Sequence, residues 1–269
     1  MKKALLILIS SLIISNSTFA QNESPYHTSF KKDGIAIAAG VGLSALGLTL
    51  IKNKKDLTEA EVNSLRKEDV FFLDRFTAGD YSDKANDDSY IPFYASFAAA
   101  PLAMLINKNE RNHGGQVMAL FVETMSVTGA VFSITAGTVQ RSRPYVYNTS
   151  RPMSHRMDSD SQRSFFAGHT AATATATFFA AKVFSDFNPD SKLKPYVWAA
   201  AAIVPASVGY MRLKAGRHFL TDNLLGYAIG AGAGILVPQL HKKENSAFQL
   251  NPVMGMNYKG LQMQYTFSK

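Results

Sequence analysis

The chain has no cysteine and one tryptophan, and charged residues make up only 18% of its 269 positions. Without cysteine there is no disulfide staple and no thiolate chemistry. No P-loop lysine motif occurs, which argues against hydrolysis of nucleotide triphosphates. Nucleic-acid motifs are missing too, and the basic residues are dispersed, so nucleic acid is not an expected partner. No linker rich in proline and glycine divides the apolar stretches, so a single domain is expected.

What is present is apolar and basic. Hydrophobic residues reach 46% and the formal balance is +8, which suits an anionic substrate or an anionic membrane surface. Lys2 and Lys3 precede an apolar run from Ala4 to Ile14, then small and polar residues up to Ala20. That order reads as a signal peptide over 1–20, so an exported, envelope-located protein is expected. The body is then 21–243, with a polar insert at 52–90, and a tail over 244–269.

Gly34 to Ile51 is an apolar run long enough for a thin membrane span or a buried helix. Further helices are expected near 91–107, 116–139, 168–185, 195–211 and 222–239. The fold class is therefore all-α, a six-helix bundle. Alanine, glycine, serine and threonine dilute each helix and would let them approach closely. Glu123 falls inside one of them and should point inward. Thr58 and Glu61 form a capping box, while Asp80, Asp83, Asp87 and Asp88 read as a solvated loop without metal-ligand spacing. In the tail, Leu261, Met263, Tyr265 and Phe267 alternate with polar residues. That period predicts a strand, paired through a turn at 257–260 with one near 247–254 into a short C-terminal β-hairpin. A lone hairpin is marginal in water and should rest on the bundle or in an interface.

Three stretches carry the chemistry. They are Arg141-Ser142-Arg143-Pro144, Gly168-His169, and Arg212 with His218 and Asp222. Arginine offers a forked, permanent charge that matches phosphate oxygens. Backbone amides around Gly168 and His169, if they open a helix, add donors at its positive end. His218 and Asp222 stand four apart, so the carboxylate could fix the imidazole tautomer and make His218 a nucleophile. His169 is left to protonate the departing oxygen. No cofactor is expected, and no residue is assigned to a metal.

In that order the stretches resemble the type 2 phosphatidic-acid phosphatase superfamily over roughly 90–240. The family pattern is a lysine seven residues before Arg-Pro, then Pro-Ser-Gly-His, then Ser-Arg with a histidine six and an aspartate ten residues after the arginine. The resemblance implies a six-helix bundle with the site at one end. It also implies a phosphohistidine on His218 oriented by Asp222, with His169 as acid and Arg143 and Arg212 on the phosphate. Three positions depart: Ala136 stands for the lysine, Phe166-Ala167 for Pro-Ser, and Met211 for the serine. Arg141 would partly replace the lost charge. The expected activity is hydrolysis of a phosphate or pyrophosphate ester, of an envelope lipid or a small phosphoester, at a membrane. The alternatives are a broad-specificity periplasmic acid phosphatase and a bundle that has shed catalysis. A vanadate haloperoxidase fits less well, because its cradle needs the missing lysine and serine. The site is expected to face the periplasm, although a cleaved leader followed by six spans would turn it to the cytoplasm.

Overall fold

The computed structural model describes residues 23–243, 248–255 and 258–265. The expected signal peptide lies outside them. Helix α1 (Phe30–Lys52) is followed by α2 (Glu59–Ser64), α3 (Asp83–Ser96), α4 (Ala99–Ile106), the short α5 (Lys108–Arg111) and α6 (Gly114–Thr138). Then come α7 (Met153–Met157), α8 (Gly168–Phe187), α9 (Lys194–Lys214) and α10 (Leu220–Leu240). Strands β1 (Phe248–Gly255) and β2 (Tyr258–Tyr265) pair antiparallel, with Val253 opposite Gly260. The chain is thus mostly helical. The helix expected at 91–107 is two, α3 and α4, broken at Phe97 and Ala98, and it starts earlier, where the Ser82 side chain caps Ala85 N–H. Asp83, Asp87 and Asp88, expected in a loop, therefore lie on its first turns.

Helix α8 packs against α10, α9, α6, α4 and α3, and so forms the middle of the bundle. Its sequence is rich in threonine, which gains little from a helix by itself. Burial overrides that preference: Thr175 shares a 2.9 Å hydrogen bond with Thr128 of α6, and the Thr177 hydroxyl donates to Ala201 O of α9 at 2.9 Å. Hydroxyls that would compete with the backbone are thereby spent between helices. An apolar core lies toward one end, where Val117, Leu120 and Phe121 of α6 meet Phe179 and Val183 of α8.

The two ends of the bundle differ. At one, Tyr26 bridges to Lys242 and His27 N–H donates to His241 O at 2.7 Å, so α1 begins where α10 finishes. At the other, the Lys54 ammonium reaches Val139 O at 2.7 Å, so α1 and α6 finish together. The starts of α3, α8 and α10 lie at this second end. Thr58 and Glu61 form the expected capping box there. The insert is no detached loop, however: its Asp74 is fully buried and accepts from Thr221 N at 2.9 Å.

Small residues set the closest helix contacts. Gly226, Gly230 and Gly234 repeat every fourth residue along α10, and a side-chain carbon on any of them would run into the backbone of α8 at Ala167, Ala171 or Thr175. Phe30–Lys52, Asp83–Ile106, Gly114–Thr138 and Leu220–Leu240 are long and apolar enough to cross a membrane. The faces of α1 that do not touch α6 are apolar and exposed, Ile35 at 63% and Leu48 at 59%. The apolar strand face does not rest on the bundle as expected. Leu261 and Met263 of β2 are exposed.

The glycine stripe is testable. Gly230→Val should lower the unfolding temperature in detergent, at about 1–3 kcal/mol for an overpacked contact. Gly232 has open space around it, so Gly232→Ala should leave stability unchanged or raise it. Equal unfolding temperatures for the two variants would contradict the close contact.

Candidate active site

The site is built where α8 and α10 both begin. Helix α9 ends at Gly216, whose positive φ of 65° continues neither helix nor strand. Arg217 N–H returns to Arg212 O at 3.1 Å and Gly216 N–H to Leu213 O at 2.9 Å, closing the helix with a left-handed cap. A side chain there would also collide with the Asp80 backbone. This turn carries Arg217 and His218 inward. His218 is 3% exposed, and its Nδ1–H donates to Ser164 O at 2.6 Å. The carbonyl can only accept, so the proton sits on Nδ1 and Nε2 keeps its lone pair.

The expected direct pair of Asp222 with His218 is replaced by a relay. The Asp222 carboxylate accepts from Ser164 Oγ at 2.6 Å, Phe219 N at 2.9 Å and Arg141 Nη1 at 2.5 Å. Four-residue spacing brings two side chains together only along a helix, and α10 starts after His218, at Leu220. Asp222 therefore fixes Ser164, whose carbonyl fixes His218. Arg141 is a correction of the same kind. Its other nitrogen donates to Asp74 Oδ2 at 2.6 Å, so both ends of its fork are taken by carboxylates and it replaces no phosphate ligand.

Beside His218 lies a cavity of about 200 Å³ lined by His169, Arg143, Arg163, Arg212, Arg217 and Asp160, closed by Gly168, Tyr90 and Phe132. Gly168 is required where it stands, because a side-chain carbon there would enter the Phe132 ring, 2.6 Å from Cζ. Asp160 ties three of the guanidiniums together. Arg143 Nη2 donates to it at 3.0 Å, Arg217 Nη1 at 3.1 Å, and Arg163 also pairs with it. Arg212 is held from α3 instead, by Asn86 Oδ1 at 2.8 Å. Arg143 Nη1 and the Nε atoms of Arg163, Arg212 and Arg217 are buried without a protein partner. Four guanidiniums thus face one carboxylate, with donors left over.

The charges act on each other. Burial alone would raise the Asp160 carboxyl, but Arg143, Arg163 and Arg217 outweigh it and hold it below its ordinary value. Burial, then Arg212, Arg143 and Arg217, push His169 down to about 3. Burial, then Arg143 and Arg212, lower His218 well below the usual imidazole range. Both rings are therefore neutral near pH 7 until an anion enters.

The structure brings His169, His218, Arg143, Arg212 and Gly168 to one cavity and leaves Arg141 and Asp222 behind it. Ala136 is in the last turn of α6, while Arg143 lies in extended backbone past the helix end, so the two share no helical face. Sequence reasoning missed Arg163 and Arg217, although each adjoins a motif. It also missed Lys54, whose ammonium reaches Gln162 O at 3.2 Å and is pushed down to about 8 by burial and by Arg163 and Arg143. Asp160, Asp74 and Asn86 carried no signal in the sequence.

Unmet guanidinium donors around neutral imidazoles suit a phosphoryl group, and that chemistry places the chain among phosphatases. Family comparison points the same way: residues 117–246, which hold all three motif stretches, match the model of the PAP2 superfamily. None of the curated proteins compared matches the chain. A solved structure, a transmembrane PAP2-type phosphatidylglycerolphosphate phosphatase from Bacillus subtilis, is 20% identical with a TM-score of 0.45. The match covers 74% of this chain and 93% of that one, a distant likeness.

Asp160 gives a direct test of the cage. Asp160→Ala frees Arg143 and Arg217 from their anchor, so kcat/KM for a phosphomonoester should fall roughly tenfold, about 1.4 kcal/mol. An unchanged value in steady-state kinetics would mean that the guanidiniums keep their places without it.

Proposed function

We propose that the protein hydrolyses a phosphate or pyrophosphate ester of an envelope lipid through a phosphohistidine on His218. The observation that carries this reading is the Nδ1 hydrogen bond of His218 to Ser164 O, which leaves Nε2 with its lone pair beside four arginines. Nε2 attacks phosphorus, the ester oxygen leaves with a proton from His169, and a phosphohistidine results. Water then attacks the phosphohistidine, giving its proton to His169, and phosphate leaves with His218 restored. Arg143 and Arg212, joined by Arg163 and Arg217, neutralise the phosphoryl oxygens as charge builds on them. The arginines supply that neutralisation, so the chemistry needs no cofactor in the cavity.

The lipid part of the proposal rests on surroundings. A cavity of about 200 Å³ suits a phosphate and little more. Beside it α3 presents Tyr90 and Phe93, whose rings lie 5.1 Å and 4.2 Å from that of His169. Tyr94 and Ile91 continue this face outward, exposed. A headgroup in the cavity would leave its chains along apolar helix surface, which a soluble acid phosphatase would have no use for.

His218→Ala should abolish phosphate release from a lipid phosphate while leaving the unfolding temperature unchanged. Wild type quenched in mid-turnover should carry label from radioactive substrate in an acid-labile, alkali-stable form, and the variant should not. Turnover by the folded variant would refute the nucleophile.

The acid has its own signature. His169 is neutral above about pH 3, so its proton has to arrive with a monoanionic substrate. The second ionisation of a phosphate ester lies near pH 6, so kcat/KM should fall about tenfold per pH unit above it. A rise with pH would overturn this assignment. His169→Gln should cost far more on an alkyl phosphate than on a nitrophenyl phosphate, whose leaving group needs no proton.

The side of the membrane can be read because the chain has no cysteine. Lys84 is 84% exposed at the site end. For a periplasm-facing site, Lys84→Cys in intact cells with a permeabilised outer membrane should react with a membrane-impermeant maleimide. Labelling only after lysis would place the site in the cytoplasm.

A further inference from the structure

At the end of the bundle away from the cavity, three helices bring together one imidazole and two carboxylates. Asp33 lies in the first turn of α1, Glu123 on the inner face of α6, and His241 just past the end of α10. Their donor atoms all lie within 4.8 Å of one another. His241 Nε2 stands 3.4 Å from Glu123 Oε2 and 3.5 Å from Asp33 Oδ1. We propose that Asp33, Glu123 and His241 bind a divalent transition-metal ion, zinc by preference, which ties α1 to α6 and α10.

Three observations support the site beyond its composition. The first is an orphan: Glu123 is 7% exposed, and its Oε2, the atom turned toward His241, has no hydrogen-bond partner. A buried carboxylate oxygen without a partner is costly, and a cation answers it. The second is the tautomer. His241 Nδ1–H donates to Val237 O at 2.8 Å, so Nε2 faces the carboxylates with a lone pair. This is how a metal-binding histidine is oriented, through a backbone carbonyl on its far nitrogen. Asp33 is braced likewise, its Oδ2 accepting from Ser29 N at 2.7 Å.

The third is distance. A charge-assisted imidazole–carboxylate hydrogen bond would close to about 2.8 Å. Zinc with ligands at about 2.0–2.1 Å in a tetrahedron sets neighbouring donors about 3.4 Å apart. The observed separations match the second figure. Among the described residues, the ion pairs of Asp33 and Glu123 are with His241 alone, so no lysine or arginine neutralises them. Calcium and magnesium favour six or more oxygens, whereas one imidazole with two carboxylates suits zinc and its neighbours, with water as fourth ligand. The sequence hides this set, since its members lie far apart in the chain and two of them sit at opposite ends of it.

The test uses the full-length, tag-free protein in detergent, stripped with chelator and reloaded with zinc or cobalt. We expect one metal per chain after gel filtration, the strong visible bands of four-coordinate cobalt, and a higher unfolding temperature with zinc. No thiolate can contribute to those bands in a chain without cysteine. Glu123→Gln and His241→Ala should lose the bands and the stabilisation yet still release phosphate when folded. Lys243→Ala, beside the site but outside it, should keep both. Failure of wild type to retain metal overturns the proposal, as does retention of the same bands by both site variants. If the variants do not fold, the wild-type stoichiometry and spectrum decide alone.

Discussion

The contact of α8 with α10 at backbone distance is the constraint on which the site depends. Gly226, Gly230 and Gly234 leave no side chain between the two helices, so their starts come together at one end. There Ala167 N–H donates to Asp222 O at 3.1 Å, joining the turn before α8 to the first turn of α10. His169 and His218 follow from that junction, one on each helix start. Moving the helices apart by one methyl group would separate the two imidazoles before any catalytic residue had changed. Small residues here serve geometry more than flexibility, and the closeness lets short hydrogen bonds span what side chains would otherwise fill.

The second level is electrostatic. Gathering four guanidiniums in a cavity of about 200 Å³ is unfavourable unless something offsets their repulsion. Asp160 offsets part of it by pairing with Arg143, Arg163 and Arg217. Asp222 and Asp74 do the same for Arg141 just behind. What is left is a preorganised excess of positive charge, which an arriving dianion or monoanion meets without reorganisation. Burial, together with that excess, keeps His169 and His218 unprotonated. For the proposed attack by His218 this matters, since a protonated imidazole cannot attack phosphorus. For His169 as the proposed acid, it would tie protonation to the charge of the substrate.

The sequence held residues that line the cavity but not their supports. Arginine and histidine at fixed spacing, each at the border of an apolar run, brought His169, His218, Arg143 and Arg212 to one place. The long helices α1, α6, α8, α9 and α10 were legible from apolar length, and Thr58 with Glu61 from a local capping pattern. Arg141 was misread because a charge next to a motif looks like part of it, while its partners Asp74 and Asp222 are 67 and 81 residues away. Asp222 was misread for a subtler reason. Spacing of four means a shared face only inside a helix, and the helix begins between the two residues. Asp160 and Asn86 were illegible because a polar loop residue looks the same in sequence whether it anchors a guanidinium or meets water.

The buried charges collect at the two ends of the bundle. The arginine cage and Asp74 occupy one; Asp33, Glu123 and His241, with Asp186 paired to Lys182 and Lys242, occupy the other. Between them the helices are joined by glycine, alanine and threonine hydroxyls and show apolar faces outward. Helix α6, with 25 residues at 1.5 Å rise, is about 37 Å long, slightly more than the hydrocarbon thickness of a bilayer. A bundle of this length that crossed a membrane would hold both charged ends at the level of the lipid headgroups. The cavity would then meet phosphate at the depth where lipids carry it, and the aromatic face of α3 would be its side entrance from the acyl layer. Because α1 starts at the opposite end, where Tyr26 bridges to Lys242, the direction in which α1 runs also fixes which headgroup layer the cavity meets.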